Sequence, residues 1–204
     1  MRRLLLVSFI AVTAGAASAQ GPAALDWTAV DAETLKHFQA IVQIDSTDPP
    51  TTPPGVEKPV VDDLRTVLEG AGIPTQTVAL DDNRPNLVAR LKGTGSKRPL
   101  LLMAHTDTVN IDPKKWSLPP FSATRQDGYI YGRGTVDDKD NVAATLMALL
   151  LLKRQNVPLD RDVIALFEAG EEGAVRYGIA HMTDAERFPL IDAEYCLAEG
   201  GSFN

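Results

Sequence analysis

Between Ala32 and Ile44 the apolar residues Leu35, Phe38, Ile41 and Val42 return at intervals that place them on one face of a helix, so the spacing predicts an amphipathic helix there. His37 lies off that stripe and is expected to be exposed. Asp48 to Pro54 is rich in Pro and Thr, cannot continue a helix and reads as a loop. A second helix is predicted from about Val56 to Leu68, stopped at Gly70-Ala71-Gly72. The pattern then changes to short β-rich runs, Thr75 to Leu80, Asn86 to Leu91 and Pro99 to Ala104, with a further run from Gly128 to Tyr131 that ends at Gly132-Arg133-Gly134. A strongly apolar helix from about Asn141 to Leu152, a strand from Asp162 to Phe167, a shorter helix near Val175 to His181 and a strand near Glu194 to Ala198 follow. Strands alternating with helices, without internal repeats, predict one domain of the α/β class.

The polar residues that interrupt this pattern fall in telling places. His105 and Asp107 follow the apolar run Leu100 to Ala104, Glu171 and Glu172 follow Val163 to Phe167, and Glu199 follows Tyr195 to Ala198. In open α/β sheets ligands bind beyond the carboxyl ends of the strands, so three segments distant in sequence are expected to meet at one crevice. Asp137 stands after Gly134 at the entrance to the apolar helix. One imidazole and several carboxylates suit zinc or a similar divalent ion. Packed together without a cation, those acids repel one another. The i, i+2 spacing of His105 and Asp107 on an extended chain lets the carboxylate orient the imidazole. Neighbouring Glu171 and Glu172 point in different directions, which lets one hold metal while the other faces the reacting water.

Composition narrows the picture. With 44% hydrophobic residues the 204-residue chain has enough for an ordinary core, and a formal charge of -7 argues against a nucleic-acid groove or a basic membrane-binding patch. Met1-Arg2-Arg3, the apolar stretch Leu4 to Ala17, and Ala17-Ser18-Ala19 have the order of a secretory leader, residues 1–19, which implies a secreted or periplasmic protein with no stable membrane insertion after cleavage. Loss of Arg2 and Arg3 makes the mature chain still more acidic. Cys196 is the single cysteine, so no intrachain disulfide forms; in its apolar run it is expected to be a buried small hydrophobe.

Four motifs, Ala104-His105-Thr106-Asp107-Thr108-Val109, Gly132 to Lys139, Glu168-Ala169-Gly170-Glu171-Glu172-Gly173 and Ala198-Glu199-Gly200-Gly201, resemble in content and order those of the aminoacylase/carboxypeptidase family of co-catalytic zinc peptidases. The resemblance covers residues 20–204 and implies a zinc-exopeptidase-like catalytic domain, a mixed β-sheet flanked by helices. It further implies that His105 ligates one zinc, Asp137 bridges two, Glu172 ligates the other and Glu199 completes the first site. Glu171 would be the general base and Asp107 the residue that holds His105. The two Zn2+ ions, replaceable by Co2+ or Mn2+, would lower the pKa of a shared water toward about 7. The substrate would be a small peptide or an N-acyl amino acid. Trp116, Pro119-Pro120-Phe121, Asp127-Gly128 and the Gly132 to Lys139 run look most like the branch of Gly-X carboxypeptidases and N-acyl-amino-acid hydrolases.

Two features depart from the family pattern. Asp140 replaces a usual Gly after Lys139, an anion at a helix N-terminus, where it is tolerated. The resemblance also calls for a further histidine from a distant C-terminal segment and a lid domain, through which a homodimer forms; neither is among these residues, and His37 and His181 are not read as substitutes. The sequence is therefore expected to be the N-terminal part of a longer protein, inactive alone. Asp138 and Glu168 are assigned to support or structure. A non-catalytic metal-binding or interaction protein of the same fold is the alternative, whereas a phosphate loop at Gly132-Arg133-Gly134 lacks the longer glycine pattern and its lysine.

Overall fold

The computed structural model describes residues 24–48 and 57–200, so the leader and most of the Pro/Thr loop lie outside the described residues. The chain enters through α1 (Trp27–Val42), whose start is fixed by the Asp26 carboxylate accepting hydrogen bonds from the N–H groups of Thr28 at 3.0 Å and Ala29 at 3.3 Å. Then come α2 (Lys58–Gly70), β1 (Thr75–Ala79), β2 (Pro85–Leu91), β3 (Leu100–His105), β4 (Thr124–Gln126), β5 (Tyr129–Tyr131), α3 (Lys139–Arg154), β6 (Val163–Glu168), α4 (Ile179–Met182) and β7 (Tyr195–Leu197).

Five strands form one mixed sheet in the order β1-β2-β6-β3-β7; β3 runs parallel to β6 and β7, while β2 is antiparallel to β1 and β6. Alternation along each strand divides the core between the two faces. Leu87, Ala89, Leu91, Ala104, Val163, Ala165 and Phe167 face a layer made by Ile41 of α1, Val60, Val61, Leu64 and Leu68 of α2, and Val142, Leu146, Leu149 and Leu150 of α3. Val88, Leu101, Ile164 and Leu166 face the opposite side, against Met182 and Ile191. The central strand β6 is buried throughout.

Three local expectations are corrected by this packing. His37 is half-buried rather than exposed, its imidazole lying 3.7 Å from Glu33 one turn earlier, because this part of α1 packs near α3, where Arg154 also pairs with Glu33. The helix expected from Val175 to His181 is reduced to Ile179–Met182, since the preceding chain is pressed against the end of β6: a Cβ on Gly178 would sit 2.1 Å from the Ala169 carbonyl oxygen. Cys196 is exposed, not buried: β7 is the edge of the sheet, and all three of its residues face solvent among the described residues. The run expected to end at Tyr131 is present as one arm of a two-stranded hairpin, whose other arm, Thr124–Gln126, carries no apolar pattern that would reveal it.

Candidate metal centre

Because β6, β3 and β7 are adjacent and parallel where they meet, their carboxyl ends share one edge, and the residues that follow them converge. His105 ends β3 and is almost fully buried. Its Nε2 lies 3.0 Å from Asp137 Oδ1, 3.3 Å from Glu199 Oε2 and 4.0 Å from Glu171 Oε2. His105, Asp137 and Glu199 each offer a ligand atom within 4.8 Å of the others, a set that suits a metal ion. Glu172 stands outside that set; one of its carboxylate oxygens is buried without a hydrogen-bond partner, and burial together with Asp137 pushes its carboxyl pKa up.

Asp107 holds this arrangement in a different way from that suggested by spacing alone. The His105 Nδ1 lies 3.1 Å from the backbone carbonyl oxygen of Asp107 and 3.4 Å from its Oδ1. With the N–H at Nδ1 donating to that carbonyl, Nε2 is the ring nitrogen that faces Asp137 and Glu199. The fully buried Asp107 carboxylate also accepts the backbone N–H of Glu171 at 3.2 Å on Oδ1 and that of Glu172 at 3.0 Å on Oδ2. It thus fastens the glutamate pair as well as the histidine.

Asp138, left open between support and structure by the sequence, is a tie: its Oδ2 accepts the His105 backbone N–H at 3.1 Å and its Oδ1 accepts from Asn141 Nδ2, joining the end of β3 to the first turn of α3. The Asp137-Asp138 peptide is cis. Glu168, at the end of β6, is buried with Oε2 unpartnered, and burial raises its carboxyl pKa to about 7. Asp140 occupies the first turn of α3 as expected, yet burial pushes its carboxyl up, with Asp137 adding to the effect. Burial opposes charge on His105, but Asp107, Asp138 and Asp137 outweigh it and pull the imidazole up to about 10.

Two supporting groups escaped the sequence reading. Lys139 is fully buried and donates from Nζ to the Ile44 carbonyl at 2.7 Å, fixing the chain after α1 beneath the site. From there Ser46, Thr47 and Asp48 run beside Thr106 to Thr108, with Ser46 Oγ donating to Thr106 O and the Asp48 N–H to Thr108 O. Arg84, Asp48 and Glu57 form the second group, a buried ion-pair cluster. A basic residue beside Pro85 was its only local signal.

A model of Peptidase family M20/M25/M40 matches residues 101–204. The chain is 40% identical over 112 residues to an N-formyl-4-amino-5-aminomethyl-2-methylpyrimidine deformylase of Halalkalibacterium halodurans, which covers 53% of this chain and 26% of that protein. It is 55% identical over 72 residues to the human N-fatty-acyl-amino acid synthase/hydrolase PM20D1, 35% of this chain and 14% of that one. Among solved structures, the M20 family metallo-carboxypeptidase Sso-CP2 from Sulfolobus solfataricus superposes with a TM-score of 0.70 and 25% identity, over 83% of this chain and 37% of its own. The chain thus spans less than half the length of each of these relatives, and by its matched residues and its fold it belongs to Peptidase family M20/M25/M40.

Proposed function

We propose that this chain carries most of the metal site of a hydrolase that cleaves a peptide or N-acyl amide bond, working outside the cytoplasm after export through residues 1–19. The observation that carries the reading is the meeting of His105 Nε2 with Asp137 and Glu199 at the shared end of β3 and β7. The donor set, nitrogen and oxygen without thiolate, fits Zn2+, with Co2+ or Mn2+ as substitutes. His105, Asp137 and Glu199 would hold one ion, and Asp137 with Glu172 would face a second.

Bound there, the metal supplies Lewis-acid polarisation of a carbonyl and lowers the pKa of water. The residues do the rest. Glu171 would take a proton from water and return it to the leaving nitrogen, a role supported by its 42% side-chain exposure and its distance of 4.0 Å from the imidazole. Asp107 keeps His105 and both glutamates in position. Similarity to a carboxypeptidase and to a fatty-acyl-amino acid hydrolase supports a substrate with a scissile amide, a small peptide or an N-acyl amino acid.

Equilibrium dialysis of the metal-free chain against Zn2+ tests the assignment. Zinc should bind to the folded chain and be lost in His105→Ala. A folded wild-type chain that takes up no zinc, or an alanine variant that binds as well, overturns it.

A further inference from the structure

Ala169 to Tyr177 is the loop that presents Glu171 and Glu172, and it is gripped from below by two residues at the start of β2. Asn86 donates from Nδ2 to the Tyr177 carbonyl at 2.7 Å and accepts the Ala169 N–H on Oδ1 at 3.1 Å, closing both ends of the loop with one side chain. Arg84 lies against residues near both ends of the loop. The guanidinium carbon is 4.4 Å from the centroid of the Tyr177 ring, and a Cβ added to Gly170 would sit 3.2 Å from Nη2.

Arg84 cannot shift freely to suit the loop. Its Nη2 donates to Asp48 Oδ2 at 2.6 Å and Glu57 Oε1 at 2.7 Å, its Nε donates to Glu57 at 3.1 Å, and all three side chains are at most 3% exposed. Asp48 and Glu57 also present carboxylate oxygens within 4.8 Å of Asp107. Without a cation between them, three buried carboxylates repel one another, and the one displaced would be the group that holds the N–H groups of Glu171 and Glu172. Lysine carries the same charge but lacks the planar fork that meets two carboxylates and stacks on an aromatic ring at once.

We propose that Arg84 and Asn86 are positioning residues of the metal centre, clamping the 169–177 loop so that Glu171 and Glu172 keep their bonds to Asp107 and their direction toward the site. This rests on the role given to those two glutamates above. A buried ion pair that serves the fold alone would, on removal, weaken the domain as a whole; a clamp on one loop loosens that loop first.

Amide hydrogen exchange of the metal-free chain reads the clamp without any bound metal. In Arg84→Gln and Asn86→Ala the Glu171 and Glu172 amides should exchange about tenfold faster or more, with a smaller change in Arg84→Lys, while the β6 amides of Ala165 and Leu166 stay near their wild-type rates. Titration with Co2+ should then show affinity weakened by about tenfold to a hundredfold, with an altered absorption spectrum, and partial rescue in Arg84→Lys. Unchanged Glu171 and Glu172 amides in the folded variants overturn the clamp; if Arg84→Gln does not fold, Arg84→Lys and Asn86→Ala decide. Faster exchange with unaltered Co2+ affinity and spectrum overturns the positioning role. A wild-type chain that binds no Co2+ removes the metal-site reading instead, and the exchange rates still decide the clamp.

Discussion

Replacing Asp107 by asparagine changes almost nothing in shape and should damage both stability and metal binding. The two carboxylate oxygens each accept a backbone N–H, Glu171 at 3.2 Å and Glu172 at 3.0 Å, and neither is open to water. Asparagine has one acceptor oxygen, so in either orientation its amide group meets one of those N–H groups as donor against donor. Leaving one buried donor unpaired costs about 1–3 kcal/mol. The bond that survives passes from charge-assisted to neutral and loses roughly half its strength. Relief of repulsion from Asp48 and Glu57 acts in the opposite direction, but both are already paired with Arg84, so the lost bonds win. Denaturant unfolding in chelator should show a loss of about 2–4 kcal/mol, and a zinc competition titration a fall in affinity of about tenfold to a hundredfold. A variant as stable as wild type with unchanged zinc affinity would refute the role given to Asp107.

Glu171→Gln should leave metal content intact and slow hydrolysis by about a hundredfold to ten-thousandfold in protein that turns over substrate; normal turnover removes Glu171 from the proton path. Glu168 has its carboxyl raised to about 7 by burial, so between its unfolded value and about pH 7 the folded state holds a proton that the unfolded state has released. Stability of the metal-free chain should fall as pH rises through that window, by about 3 kcal/mol, and Glu168→Gln should flatten the dependence; a wild-type curve without this slope contradicts it. Zinc binding near neutral pH should release a proton, because the neighbouring carboxylates pull the His105 imidazole up to about 10 and a metal on Nε2 displaces the proton held there. Calorimetry in buffers of different ionisation enthalpy measures the release, and a binding heat independent of buffer opposes it. Cys196, exposed on the edge strand, should react with a maleimide in the native chain about as fast as in denaturant; strong native protection would show that β7 is covered.

The parts of the site that were legible in the sequence are those whose signal is local. His105, Glu171, Glu172 and Glu199 each lie within a few residues of the end of an apolar run, and an apolar run marks both a strand and the point where it stops. Once the strands are parallel neighbours, their ends are neighbours too. Cys196 failed for the converse reason: its flanking residues are apolar, but burial depends on what covers an edge strand, which no local pattern encodes. Arg84 was invisible because its partners Asp48 and Glu57 lie 36 and 27 residues away, and the loop it supports lies farther still. Lys139 belonged to a recognised motif, yet only the fold shows its ammonium turned back toward Ile44.

The charges around the end of β3 fall into two groups with opposite states of completion. Behind the strand, Arg84 answers Asp48 and Glu57, Lys139 answers a carbonyl, and Asp138 is met by the His105 N–H and Asn141. In front, Asp137, Glu171 and Glu199 have His105 as their ion-pair partner among the described residues, and Glu172 keeps a buried oxygen with no partner. The rear group is a finished structural network, which explains why it can hold the loop and the strand still. The front group is unfinished in charge: one imidazole cannot neutralise four carboxylates, and burial pushes the Glu172 and Glu199 carboxyls up while the surrounding acids pull the His105 imidazole up to about 10. A divalent cation would add a single compact positive charge there and give the partnerless Glu172 oxygen something to face. A hydrogen-bonded back and an acidic front are two properties that suit a metal site, and β3 carries both on its last residue and the three that follow it.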